Sequence, residues 1–145
     1  MKTVLLLGIC ILFSINGYSQ EFKKLDKAKV NQKQMELAKK FSDDYFAKQV
    51  AGSYYSLTDK EATAEMIKDL TAYKQKEVYD QLKSGFGDFK SLKYAQTWFD
   101  ANTHLVIYRF KGTFGNSNLL EIRVVMNYQG KIAGFFVKPW TEKLQ

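Results

Sequence analysis

His104 is the one histidine in the chain, and so the one side chain whose ordinary pKa lies near neutrality. General acid–base chemistry on such a residue needs a partner that tunes it, usually a carboxylate facing the same cavity. Asp88 and Asp100 stand at the ends of segments of alternating hydrophobicity, where capping and turn formation account for them. Asp43 and Asp44 lie among lysines and read as a solvated pair on a helix. Serines are present, but none sits in the G-x-S-x-G elbow that activates a serine nucleophile. One histidine and one cysteine, Cys10, cannot make an ordinary zinc site. The Gly85-Phe-Gly-Asp-Phe-Lys90 stretch lacks the third glycine of a dinucleotide loop and follows a helix rather than a strand, so it reads as a helix stop. The sequence therefore names no catalytic residue, no metal ligand and no cofactor.

The elements that would position a site change period partway along the chain. Leu37, Phe41 and Tyr45 recur at steps of four beside Ala38 and Phe46, which predicts a helix with one buried stripe, and Asn31 can cap it. Residues 50–56 are compatible with a short second helix. Thr58-Asp-Lys-Glu61 has the form of a capping box, from which a helical segment with Met66, Ile67 and Leu70 is expected to run. A further helix to about Ser84 would bury Val78, Tyr79 and Leu82. From Ser91 the period is two. Four alternating runs, separated by Asp100-Ala-Asn102, by residues 115–118 and by Gln129-Gly130, predict an antiparallel meander that Pro139 ends. Helices first and strands afterwards give an α+β domain: N-terminal helices packed on a curved four-stranded antiparallel sheet.

Strict alternation assigns the two sheet faces. Arg109, Lys111, Glu121 and Arg123 are expected to face solvent. The helix side then receives Tyr94, Gln96, Trp98, His104 and Tyr108, with Phe110, Leu120, Ile122, Val124 and Met126. Tyr94, Gln96, Trp98, His104 and Tyr108 are the expected lining of a ligand pocket, with a small hydrophobic or aromatic molecule as its occupant. His104 would stand at the mouth without performing chemistry. Plain core packing of the same rings is the competing reading, and an open sheet face offers a second use as a homodimer or protein-interaction surface.

Residues 1–19 read as a secretory signal peptide. Lys2 precedes an apolar run from Val4 to Ile15, with Gly17 and Ser19 at a cleavage site. A lipoprotein signal on Leu7-Gly-Ile-Cys10 competes with this, but Ile9 is bulky beside the cysteine. The expected organisation is thus a signal over 1–19, a flexible lead-in over 20–32, one domain over 33–140 and a tail over 141–145. The product would be exported to the periplasm or beyond, with no transmembrane helix and no cysteine left to pair. The net charge is +7. Export argues against a nucleic-acid partner, and the interspersed acids suggest a lysine-rich surface with at most weak, salt-sensitive attraction to anionic surfaces.

Two stretches carry a family resemblance. Glu77-V-Y-D-Q-L-K-S-G-F-G-D-F-K-S-Leu92 resembles a helix–glycine–strand signature, and Leu120-E-I-R-V-V-M-N-Y-Q-G-K-I-A-G-F-F-V-K-Pro139 resembles the closing hairpin of the same family. The family is the small bacterial one catalogued as domain of unknown function 3887, among the nuclear-transport-factor-2-like, or cystatin-like, folds. The similarity spans roughly residues 33–139. It implies helices packed on a curved sheet with a cavity between them, which in related families serves enzymes, binding sites or nothing. It supplies no catalytic residues. The expected function is non-catalytic binding of a small or polymeric ligand in the helix–sheet cavity, with a protein-interaction role as the alternative and an enzyme using His104 behind both.

Overall fold

A computed structural model describes residues 21–145. The signal-peptide reading of residues 1–19, including Cys10, lies outside them. Helices α1 (Gln32–Val50), α2 (Ala64–Asp69) and α3 (Ala72–Phe86) precede the sheet strands β2 (Phe89–Asp100), β3 (Leu105–Phe114), β4 (Asn118–Met126) and β5 (Ile132–Pro139). The architecture is α+β, with the helices on one face of an antiparallel sheet in which a short first strand, β1 (Lys23–Lys24), precedes the others in the order β1-β2-β3-β4-β5.

The fifth strand corrects the expected four. It is β1, Lys23–Lys24, which pairs with Trp98 and Phe99 of β2. The segment read as a flexible lead-in is thereby tied down. Leu25 donates its amide to Thr97 O at 2.9 Å, a 3-10 turn follows at Lys27–Lys29, and Val30 is buried in the core. A run of lysines hides these anchors because edge pairing needs backbone groups, not apolar side chains.

The helix starts follow their caps. Asn31, Thr63 and Thr71 each accept a backbone N–H from the third residue on. The Thr58–Glu61 motif does form its reciprocal bond, with Thr58 N–H donating to Glu61 Oε2 at 3.0 Å. It closes a turn rather than opening a helix, however, because the chain is drawn off to β5: Ala62 bridges Ile132, and α2 starts only after Thr63. The short second helix expected over residues 50–56 does not form: α1 runs unbroken to Val50, and residues 51–56 are turn and irregular chain. At the far end Gly87 caps α3 with φ +90° and meets Gly115, whose φ is +58°. A Cβ on Gly115 would lie 2.4 Å from Phe86 O, so only glycine allows this turn to close on the helix.

The main core lies between helices and sheet. Phe135 is its centre, fully buried, with ring centroids 5.1 Å from Phe41 and 4.8 Å from Tyr45. Phe46 stacks on Phe89 at 4.5 Å and meets Phe114 edge-on. Leu37 departs from the expected stripe and is 50% exposed.

Strand β2 carries the main departure from simple alternation. Its register against β3 shifts between Tyr94, opposite Phe110, and Gln96, opposite Arg109. One extra residue there reverses the phase of the strand. Leu92 and Tyr94 pack with the helix-side core as expected, but beyond Ala95 it is Thr97 that pairs with core Tyr108, while Gln96 and Trp98 pass to the outer face.

Candidate functional site

The five expected pocket residues are divided by that bulge. Tyr108 is buried on the helix side and its hydroxyl donates to Gln34 Oε1 of α1 at 3.0 Å. Burial pushes its phenol up to about 12. Tyr94 shares the face, and its hydroxyl is 2.7 Å from Thr97 Oγ1. Gln96 and Trp98 stand on the opposite face, joined by a 3.0 Å bond from Trp98 Nε1 to Gln96 Oε1. His104 is exposed in the β2–β3 turn, with φ +56° and its ring 6.4 Å from Phe99. The structure brings Tyr94 together with Thr97 and Gln96 with Trp98, but it does not bring the five together. Asp100 holds the same turn, accepting Asn102 N–H and Thr103 Oγ1–H.

An open cleft of about 290 Å³ lies elsewhere on the helix–sheet boundary, near the start of β5. One wall is a single face of α1, where Leu37, Lys40, Phe41 and Asp44 recur at helical spacing. The floor is apolar, made by Phe41, Met126 and Ile132, all buried. The second wall is the segment from Tyr55 to Glu61, and the Gly130 corner closes one end.

Two devices fix that second wall. The side chain of Gln75 on α3 is buried and clamps residue 55 from both sides, accepting Tyr55 N–H at 2.9 Å and donating to Tyr55 O at 2.7 Å. The bridge to β5 fixes the other end, through Ile132 N–H to Glu61 O at 2.8 Å and Thr63 N–H to Ile132 O at 3.0 Å. Between them the Tyr55 hydroxyl donates to Glu61 Oε1 at 2.9 Å. Burial, then this bond and the carboxylate's charge, push the phenol up to about 12.

The polar groups of the cleft are unevenly committed. Glu61 is occupied by Tyr55 and by the amide and hydroxyl of Thr58. Lys40 and Asp44 pair with each other across one turn of α1. Lys60 has no hydrogen bond or ion pair among the described residues and is exposed at the rim. The cleft thus offers an apolar floor and one uncommitted cation. No group of three or more His, Cys, Asp or Glu side chains among the described residues is placed to hold a metal ion.

The outer sheet face holds a second polar site. Arg109 and Glu121, expected in solvent, are both fully buried, because residues 140–145 fold back over them. Arg109 Nη2 donates to Glu121 Oε1 at 2.6 Å, and Arg123 Nε donates to Glu121 Oε2 at 2.5 Å. Burial alone would raise the Glu121 carboxyl; the two guanidinium bonds and charges more than offset it and hold the carboxyl below its ordinary range. A carboxyl depressed on folding stabilises the fold above its unfolded pKa of about 4.3, and that contribution is lost as pH falls through the folded value. The melting temperature should therefore hold down to about pH 5 and fall steeply below about pH 4. Glu121→Gln should flatten that acid limb; an acid limb unchanged by Glu121→Gln would assign it to other carboxyls.

No family model, curated protein or solved structure matches the chain. Among the described residues, no helix is long and apolar enough to cross a membrane.

Proposed function

We propose that the domain binds a small anionic amphiphile, without transforming it, in the cleft between α1, the Tyr55–Glu61 segment and the start of β5. The observation that carries this reading is the pairing of a buried apolar floor, Phe41, Met126 and Ile132, with the uncommitted Lys60 at the rim. An aromatic or short aliphatic body fits the floor, and a carboxylate or sulfonate reaches the lysine. The volume is at the lower end for small-molecule sites, which favours a compact ligand. Both carboxylates of the cleft are engaged, Asp44 by Lys40 and Glu61 by Tyr55 and Thr58, so neither is poised as a general base.

The finer assignments belong to the same proposal. Helices followed by an antiparallel meander support a nuclear-transport-factor-2-like fold and the family resemblance of residues 77–92 and 120–139. The basic, apolar start of the sequence supports export.

A thermal-shift panel of small aromatic and aliphatic carboxylates, with their neutral amides as controls, tests the binding reading. A ligand at about a hundredfold over its dissociation constant should add about 2.7 kcal/mol of stability. Lys60→Glu should remove most of that gain while leaving the unliganded melt unchanged, since the residue is exposed. Equal shifts by acids and amides, or shifts unaffected by Lys60→Glu, would contradict the proposal.

A further inference from the structure

The chain's own C-terminal segment displays what the outer sheet face recognises. Four side chains of the sheet donate five hydrogen bonds to main-chain oxygens of Thr141, Glu142 and Gln145. Arg109 donates to Thr141 O at 2.5 Å and to Glu142 O at 3.3 Å, and Gln96 also donates to Glu142 O at 3.3 Å. Arg123 and Lys138 donate to Gln145 O at 3.0 and 2.8 Å. Such bonds read main-chain oxygens, not the identity of side chains, on a segment that bends at Glu142–Lys143. Two side chains add specificity. The Trp140 ring lies 4.3 Å from the Arg109 guanidinium carbon and 4.7 Å from Lys111 Nζ. Leu144 sits on a small apolar cluster of Leu105, Ile107 and Val125.

Arg109, Gln96 and Arg123 are positioned without the segment, whereas Lys111 and Lys138 meet only its groups. Glu121 and Gln96 hold Arg109, and Trp98 holds Gln96. No tail residue belongs to the helix-side core, so the segment can leave without opening it. The charges do not balance in its presence. Among the described residues the face presents Arg109, Lys111, Arg123 and Lys138 around the carboxylate of Glu121, with Asp100 committed to the β2–β3 turn, whereas the side chains of the tail bring one acid, Glu142, and one base, Lys143.

We propose that this face is a peptide-docking site held shut by residues 140–145, and that its partner is an acidic segment of another protein with an aromatic residue, an acid two positions on and an aliphatic residue two further. The partner displaces the tail because it brings more carboxylates to these cations than Glu142, which reaches only Lys111 at 3.9 Å, supplies. The site is separate from the cleft and stands independently of the ligand proposed there.

The test uses the full chain with its tail weakened by Trp140→Ala and Leu144→Ala, and a fluorescent peptide of residues 139–145 as probe. The wild-type chain should show no saturable rise in polarisation below millimolar peptide, because its own tail competes at a millimolar effective concentration. The weakened chain should bind saturably. A peptide with Thr141→Glu and Lys143→Glu should bind it several-fold more tightly at low salt. Arg109→Met, or Arg123→Gln if the first fails to fold, should abolish binding in that background. A folded, weakened chain that binds neither peptide up to about 1 mM, or binds them regardless of both arginines, overturns the proposal. If the weakened chain does not fold, the wild type is titrated with several-millimolar acid-enriched peptide: a change in tryptophan emission as Trp140 leaves Arg109 supports the site, and an unchanged spectrum overturns it.

Discussion

Replacing Glu121 by leucine should destabilise the domain by about 3–5 kcal/mol, the cost of leaving a buried charge without its partner. The charge left behind is Arg109, whose side chain is fully buried and whose other acceptors are neutral carbonyls and an amide oxygen. Arg109→Met should cost less, because Glu121 keeps its bond from Arg123, which retains some contact with solvent. Joining the two substitutions should recover much of the loss, since a buried pair often exchanges for apolar side chains of similar size at little net cost. Urea unfolding of the two single variants and the double variant gives the cycle. Glu121→Leu falling within about 0.5 kcal/mol of wild type would mean that water reaches Arg109 and that the tail does not seal it.

Phe135→Ala should have a comparable effect for a different reason. Its ring fills the space between α1 and the sheet, against Phe41, Tyr45 and Phe46, and none of it is exposed. Deleting it removes the transfer energy and leaves a cavity that three aromatic neighbours cannot close, about 3–5 kcal/mol in all. Trp98→Ala, although it deletes a larger ring, should cost clearly less. Trp98 is half-buried on the outer face, beside a cluster of only three buried side chains. The denaturation midpoints should fall in the order wild type, Trp98→Ala, Phe135→Ala, with an unchanged denaturant slope. The reverse order would place Trp98 in the main core and would contradict the phase change at Ala95.

That phase change marks the limit of what the residues declare by themselves. The period of two over β3 and β4 correctly places Tyr108, Phe110, Ile122 and Val124 toward the helices, because each strand is uninterrupted and half-buried. The same rule fails in β2 beyond Tyr94, since a bulge is a backbone event that Tyr-Ala-Gln does not announce. The charges of Arg109 and Glu121 point correctly away from the helices. What buries them is a tail distant in sequence, and no local pattern reports it. The cleft was legible only in fragments. The reciprocal bond of Thr58 and Glu61 is readable from spacing, but Gln75, which fixes Tyr55, is a polar residue in a helix with no local mark of its role. Leu37 looks like one more residue of a buried stripe. Its exposure follows from where the Tyr55–Glu61 wall stands, which is a tertiary fact.

The most direct measurement of the binding reading is amide chemical-shift mapping of the uniformly nitrogen-15-labelled chain during titration with the carboxylate that gives the largest thermal shift. The amides of Lys40, Phe41, Lys60, Glu61, Gly130 and Ile132 should move saturably with one common dissociation constant. The amides of Trp98, Arg109 and Trp140 on the outer face should stay still. Movement confined to the outer face, or scattered non-saturating shifts among surface lysines, would contradict it.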